Sequence, residues 1–257
     1  MESIEYRRMY DLEDHHWWFQ GRIDLMRKMV AKYCPAVPGR QQRLLDLGCG
    51  TGLFISDQSR DKTAIGLDSS SEALAFTRIR GVSRLVCADS QSMPFASESF
   101  DVVTAFDLIE HVERDDLLIA EAYRVLRPGG VALIAVPAHP FLLGEHDDAL
   151  HHKRRYTWKQ LDSLFEPAIW VRRRMTWTFA LICPLAVVVR SIRKILPSPE
   201  NPAADTNINF SLLNRALLQW HRLENKWTES HNLPFGLSIL TVREKRAVAG
   251  APATSNR

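Results

Sequence analysis

Three acids and three glycines, set at the ends of short apolar runs, are the residues of this chain best placed to do chemistry. Leu44-Leu45-Asp46-Leu47-Gly48-Cys49-Gly50-Thr51-Gly52 reads as a buried strand that ends on a carboxylate and runs into a glycine loop opening a helix. Glycines there let backbone pass close to a ligand, where a Cβ would clash or forbid the dihedrals. Position 53 is leucine, so the spacing is G-x-G-x-G and not the G-x-G-x-x-G of a dinucleotide site. Asp46 sharpens the distinction: a carboxylate beside the loop repels a pyrophosphate by roughly a few kcal/mol at low effective dielectric. It attracts instead a ligand that carries an ammonium and a sulfonium.

A second strand, Thr63-Ala64-Ile65-Gly66-Leu67-Asp68, ends on another acid 22 residues after Asp46. Nucleotide-binding α/β folds hold ribose hydroxyls at about that spacing, and a carboxylate facing two vicinal hydroxyls makes strong charge-assisted hydrogen bonds. The plainer alternative is a strand-end Asp that caps the next helix together with Ser69 to Ser71. Arg84 to Ser90 repeats the design and ends on Asp89, suited to the amino group of an adenine, with Met93 and Phe95 able to pack on the ring. Ser99 to Asp107 and Gly129 to Pro137 read as strands four and five, and helical stretches fall at 53–60, 70–80 and 113–126. Short apolar strands alternating with helices predict a parallel, doubly wound sheet. Its ligand lies beyond the carboxyl ends of the strands, where each of these acids falls. S-adenosylmethionine, a phosphate-free nucleoside with both positive charges, fits that set.

Leu45 to Gly52, Asp68, Ala88-Asp89, Met93-Pro94-Phe95, Phe100-Asp101-Val102-Val103, Glu110-His111-Val112 and Arg124 to Gly130, in that order, resemble the class I S-adenosylmethionine-dependent methyltransferases. The likeness covers residues 40–140 and is strongest to the small-molecule branch that includes ubiquinone and menaquinone methyltransferases. It implies an α/β, Rossmann-like fold with a mostly parallel seven-stranded sheet whose last strand is antiparallel. It also implies in-line displacement at the sulfonium methyl without a metal, leaving S-adenosylhomocysteine. The Gly48–Gly52 loop would hold the methionine part, Asp68 the ribose and Asp89 the adenine. The expected cofactor set is Asp46, Gly48, Cys49, Gly50, Gly52, Asp68, Ser69, Asp89, Ser90, Met93, Phe106 and His111. Cys49 belongs to it as a small residue that fits, and His111, at the start of a helix after strand four, as a neighbour of the methyl-transfer position.

The flanks must carry acceptor specificity. Residues 1–38 are expected to form a helical lid, with one helix from Ile4 to Tyr33. In its middle, His15-His16-Trp17-Trp18-Phe19 either anchors the helix or lends aromatic faces to a sulfonium. Trp17 and Trp18 are the expected acceptor wall. After strand five, the loop from Ala138 to Thr157 is rich in titratable groups. It resembles a bacterial methyltransferase subgroup that pairs an N-terminal His-Trp-Trp-Phe cluster with a His-x-Arg-Arg-Tyr-Thr loop, here His152 to Thr157. His139, His146 and His152 are the candidate general bases, since imidazole titrates near working pH. Arg155 and Tyr156 are the candidate acceptor contacts. His146 with Asp147 and Asp148 offers a metal alternative, but no metal is expected; a third option is a solvated loop whose arginines pair with acids. Thr157 with Gln160 predicts a capped helix from Trp158 to Leu164.

Residues 39–176 and 234–246 form the expected cofactor-binding core, with strand six at Ala168–Thr178 and the last strand at Phe235–Arg243. Between them, 177–233 is a helical cap insertion where a hairpin would suffice. Its apolar run from Trp177 to Val189 is too short to span a bilayer. With Arg190, Arg193 and Lys194 behind it, the run is compatible with a peripheral membrane contact through 177–196. After prolines at 197, 199 and 202, Leu213, Leu217, Trp220, Leu223 and Trp227 form one apolar stripe of a helix from Ile208 to Glu229, expected to pack on its neighbours or enclose an acceptor. Residues 247–257 read as a disordered tail.

Four scattered cysteines fit neither a metal site nor a disulfide framework and point to a reducing cytoplasm. A net charge of +3 over 257 residues, 46% of them hydrophobic, dictates no partner and leaves the oligomeric state open. The expected activity is methyl transfer to a hydrophobic small molecule of the quinone, polyketide or lipid-linked kind, at oxygen before carbon or nitrogen. Basic tracts at 153–155 and 172–174 raise a nucleic-acid methyltransferase as rival, although Phe106-Asp107-Leu108-Ile109 stands where an Asn-Pro-Pro-Tyr motif belongs. No nucleic-acid partner is expected. A protein acceptor, or a protein that binds the cofactor without turnover, completes the alternatives.

Overall fold

The computed structural model of this chain describes residues 3–144, 147, 150–184, 186–188 and 211–247. Its strands are β1 Arg43–Leu47, β2 Thr63–Asp68, β3 Leu85–Cys87, β4 Phe100–Phe106, β5 Leu126–Pro137, β6 Trp170–Thr178 and β7 Ser238–Lys245. Its helices are α1 Ser3–Glu13, α2 Trp17–Tyr33, α3 Leu53–Gln58, α4 Ser71–Ile79, α5 Asp115–Val125, α6 Trp158–Ser163 and α7 Ser211–Thr228. The strands form one sheet in the order β3-β2-β1-β4-β5-β7-β6. β1 to β5 pair in parallel, and β7 runs antiparallel to both β5 and β6. This is the doubly wound, mostly parallel sheet that the strand–helix alternation predicts.

Both faces are covered, which is why the strand sequences are apolar without alternation. α5 and α6 close one face through Leu118, Ile119, Ala122 and Leu161. α2, α3 and α4 close the other through Met26, Met29, Phe54, Ile55 and Leu74. Each large aliphatic side chain withdrawn from water there contributes about 2 kcal/mol. The strand order reverses between β1 and β4, so a crevice opens at their carboxyl ends. The glycine loop leaves one of those ends and Asp107 the other.

Three elements depart from expectation. The helix from Ile4 to Tyr33 is two helices, broken at Asp14 to His16. His16 caps α2, its ring accepting from the Trp18 N–H at 3.3 Å. The break lets each half serve a different layer: α1 lies on α4, with Tyr10 5.2 Å from Phe76, while α2 packs on the sheet and on α7. β6 absorbs its basic interruption with a bulge between Arg172 and Arg174. Arg172 and Arg173 stay outside, paired with Asp162 at 3.0 Å and Glu244 at 2.5 Å. The extra residue turns Arg174 inward, where it donates to the carbonyls of Thr228, Glu229 and His231 and so caps α7.

The third departure is the polarity of α7. Its inward face is polar, with His221, Glu224, Asn225 and Thr228 buried. Asn225 donates to the Gly21 carbonyl at 2.8 Å and to Asp24 at 2.9 Å. Asn214 accepts from the Trp17 N–H and donates to the His15 carbonyl, both at 2.9 Å. The helices can approach so closely because Gly21 has no side chain; a Cβ there would lie 1.8 Å from the His221 ring. The predicted apolar stripe therefore faces outward, with Trp220, Leu223 and Trp227 60%, 68% and 57% exposed. Helical period finds a stripe but does not say which side meets the protein.

His146, Asp148, Val189, Arg190, Arg193, Lys194, the prolines at 197, 199 and 202, the helix start predicted at 208–210 and the tail from 248 lie outside the described residues. Among the described residues, no helix is long and apolar enough to cross a membrane.

Candidate active site

Gly48, Gly50 and Gly52 take φ of 63°, 55° and 89°, a region that suits only residues without a Cβ. Space is as restrictive: a Cβ on Gly48 would lie 2.8 Å from Leu108, and one on Gly52 2.6 Å from Thr77. Asp46 is buried under this loop and accepts from the Thr104 hydroxyl of β4 at 2.7 Å. Burial nevertheless pushes its carboxyl up to about 7, and the nearby Asp68 charge adds to the rise. Asp68 accepts from the N–H groups of Gly50 at 3.0 Å and Ser70 at 2.9 Å. It thus fixes the loop and the start of α4 while keeping lone pairs for a ligand; burial raises its carboxyl as well. Ser70 caps α4 by accepting from the Ala73 N–H at 3.2 Å.

Around this centre, Cys49 is buried, its sulfur 2.8 Å from where a Gly66 Cβ would stand, and burial pushes its thiol up. Asp89 is exposed and accepts from the Gln91 backbone at 2.8 Å. Ser69 is exposed and Ser90 buried. Met93 lies in the core, its N–H held by Glu121 at 2.7 Å, and Phe106 meets Phe54 edge-on at 5.1 Å.

α1 crosses the loop as a cover. Met9 would touch a Cβ on Gly50 at 3.4 Å, and the Tyr6 hydroxyl bonds to Ser70. Glu13 accepts from the Thr51 hydroxyl at 2.5 Å and from Arg80 at 3.1 Å. Arg80 also donates to the Thr51 carbonyl at 3.0 Å and to Asp14 at 2.7 Å, and lies 4.4 Å over the Tyr10 ring. Burial pushes Glu13 up to about 7. One arginine from the end of α4 therefore ties the end of α1 to the glycine loop.

A second cluster forms where the turn after β4 meets the loop after β5, pinned by the Lys153 N–H to the Glu110 carbonyl at 2.9 Å. Glu110 is fully buried and neither of its carboxylate oxygens has a hydrogen-bond partner. Burial pushes it up to about 8, against the pull of Arg22 and Arg155. The His111 and His152 rings meet edge-on at 4.8 Å. One donor atom from each of Glu110, His111 and His152 lies within 4.8 Å of the others. His152 Nδ1 is 2.8 Å from Asp147 Oδ1, and His111 Nδ1 is 3.2 Å from the His151 carbonyl. Burial would raise Asp147, but hydrogen bonds from His152 and Arg155 hold it well below the usual carboxylate range. Burial, with His152 beside it, pushes His111 down to about 4. His111 sits in a turn ahead of α5, not at a helix start.

Arg155 and Tyr156, expected to face the acceptor, are turned inward. Arg155 pairs with Asp147 at 2.7 Å and donates to the Ala138 carbonyl at 3.1 Å. The single Tyr156 O–H is shared between Asp115 at 2.8 Å and the Ile109 carbonyl at 3.2 Å. Buried polar groups must be partnered, and these two find their partners in the frame that carries His152. His139 lies apart, its Nε2 2.8 Å from the Gly236 carbonyl and its ring stacked on Trp177 at 5.0 Å. Trp17 is buried, and Trp18 stacks on Phe179 at 4.2 Å. Beneath them Arg22 pairs with Asp107 beside a small cavity that Leu25, Met26, Phe179 and Leu240 also line.

Residues 45–134 match the family described as "Methyltransferase domain". A protein of Mycolicibacterium smegmatis named "Probable S-adenosylmethionine-dependent methyltransferase" is 31% identical over 168 residues, 63% of this chain and 62% of that protein. The ubiquinone biosynthesis O-methyltransferase of Hahella chejuensis is 30% identical over 145 residues, 50% of this chain and 60% of its own length. Residues 45–134 are thus similar to the methyltransferase domain of S-adenosylmethionine-dependent methyltransferases.

The chain spans about three fifths of the length of those two relatives. Solved structures share its fold. A methyltransferase from Thermotoga maritima superposes with a TM-score of 0.57 at 18% identity, over 94% of this chain and 97% of its own. The cyclase SpnF does so with 0.56 at 21% identity, over 88% and 82%.

In this chain the named residues fall into two groups. Asp46, the glycines, Cys49 and Asp68 gather at the β1 end, and His111 with His152 beyond β4, while His139 joins neither. Sequence reasoning did not name Glu110, Thr104, Glu13 or Arg80 as site residues. Glu110 and Thr104 had legible signals, as an acid before His111 and as a hydroxyl facing Asp46 from the next strand. Glu13 and Arg80 had none, because 67 residues separate them.

Proposed function

We propose that this methyltransferase transfers the methyl group of S-adenosylmethionine to an oxygen of a hydrophobic small molecule. The sulfonium and ammonium would sit over Asp46, and the ribose against Asp68, whose oxygens are already aimed by two backbone N–H groups. The observation that carries the acceptor side is the Glu110–His111–His152 cluster, with Glu110 fully buried, two residues after the Leu108 that packs against Gly48 of the glycine loop. Acceptor oxygen placed there attacks the methyl carbon in line as the S–C bond breaks, and its hydroxyl is ionised at His152, which Asp147 orients. Holding the two reactants about 3–3.5 Å apart supplies much of the rate. The Hahella chejuensis relative, named a ubiquinone biosynthesis O-methyltransferase, supports oxygen as the nucleophile, and the outward Trp220, Leu223 and Trp227 suit an acceptor drawn from a lipid surface.

Pairing of the basic tracts speaks against nucleic acid. Lys153, Arg154 and Arg155 meet Glu113, Asp115 and Asp147, and Arg172 and Arg173 meet Asp162 and Glu244. Transfer of tritiated methyl from the cofactor into lipid extract, RNA and protein fractions tests the assignment. Label in the lipid extract is expected; label confined to RNA or protein, or none with cofactor bound, overturns it.

A further inference from the structure

We propose that Glu110, His111 and His152 bind a divalent transition-metal cation that ionises the acceptor hydroxyl. The inference rests on the acceptor reading of this cluster, makes His152 a ligand of the cation in place of the base that takes the proton, and replaces the metal-free transfer that the sequence suggests.

Four observations carry it. The donor set is two imidazoles and one carboxylate, with one donor atom from each within 4.8 Å of the others, near enough for a cation to draw them together by small side-chain rotations. Both histidines have Nδ1 engaged, His152 by Asp147 at 2.8 Å and His111 by the His151 carbonyl at 3.2 Å. Their remaining lone pair is therefore on Nε2, and a carboxylate or carbonyl behind the ring is the arrangement that orients metal-ligating histidines. Glu110 is fully buried and has no hydrogen-bond partner at either oxygen. A buried carboxyl without partners is costly, and a cation supplies the missing ligand. Finally, the frame is built without it: Arg155 holds Asp147, Tyr156 ties Asp115 to the Ile109 carbonyl, and the Lys153 N–H binds the Glu110 carbonyl.

Imidazole ligands favour zinc, cobalt or iron over magnesium, calcium or manganese, and three protein ligands leave a coordination position open. An acceptor hydroxyl in that position loses its proton to solvent as its oxygen binds the cation. The oxygen pair then forms the O–C bond to the methyl carbon, the S–C pair stays on sulfur, and sulfonium plus oxyanion become neutral thioether and ether. The cation changes neither charge nor oxidation state.

The test uses Co²⁺ on the full chain after chelator treatment, read by visible absorption and calorimetry. One equivalent should bind and give d–d bands of a low-coordinate nitrogen–oxygen site. E110Q, H111A and H152A should each lose the bands and weaken binding at least tenfold. His111 is partly exposed, so H111A keeps the test alive if E110Q does not fold by circular dichroism. No bands in the wild type, or bands that survive H111A and H152A, overturn the proposal. Cofactor calorimetry on the same samples separates the two claims: cofactor heat without cobalt bands removes the cation site alone, and bands without cofactor heat remove the cofactor assignment.

Discussion

Asp46 makes cofactor affinity depend on pH in a way that its position dictates. Its carboxyl is pushed up to about 7 by burial under the glycine loop, whereas a bound sulfonium and ammonium favour the ionised form. Ligand therefore selects the carboxylate, protonation competes with binding, and affinity falls as pH drops below about 7. With the carboxyl about nine-tenths ionised near pH 8 and about one-tenth near pH 6, the loss between them is about tenfold, or about 1.4 kcal/mol. The assay is calorimetric titration with S-adenosylmethionine over that range, in buffers of different ionisation enthalpy, so that proton release is counted directly. Asp46→Asn keeps the shape and the ligand's own amino titration but removes the protein's. It should bind near the low-pH affinity and lose the extra slope. Glu13→Gln controls for the other acid held near 7 close to the loop. If the wild type and Asp46→Asn show the same slope and the same proton count, the carboxylate does not face the cationic end of the cofactor and the reasoning fails.

Other substitutions probe separate parts of the structure. Asp68→Ala should weaken cofactor binding by roughly 1–3 kcal/mol through lost charged hydrogen bonds; unchanged calorimetric affinity contradicts its assignment. His152→Ala should lower kcat by about 100-fold or more while cofactor affinity stays near the wild type, and equal turnover removes it from the chemistry. Arg174→Ala leaves the carbonyls of Thr228, Glu229 and His231, at and just past the end of α7, without their donor and should cost about 2–4 kcal/mol in urea unfolding. Gly21→Ala sets a methyl where the His221 ring stands and should destabilise by about 1–3 kcal/mol; a gain in stability would mean that α2 and α7 pack more loosely than described.

Much of the fold was legible because parallel strands buried on both faces write themselves as short apolar runs. β2 begins and ends where the sequence predicts, and the Thr157–Gln160 capping box forms as read, with the Gln160 N–H donating to the threonine at 3.2 Å. Turn chemistry is local in the same way, so three left-handed glycines identify the loop without knowledge of its neighbours.

Contacts between distant segments decided the rest. Whether the 4–33 stretch is one helix or two depends on α4 and α7 asking for different directions, which no local propensity records. The stripe on α7 has the period of a packed face, yet Asn225 and Asn214 bind α2 and turn that stripe outward. Arg155 and Tyr156 carry the polarity of ligand contacts, and only the position of Asp147 and Asp115 turns them into a brace. Residue type and spacing thus sufficed to gather the glycine loop, Asp46 and Asp68, because one loop and two strand ends build that corner, where we propose the cofactor binds. The Glu110–His111–His152 cluster, where we propose the acceptor binds, needed tertiary structure, since folding buried Glu110 without a partner and brought His111 and His152 together from segments 41 residues apart.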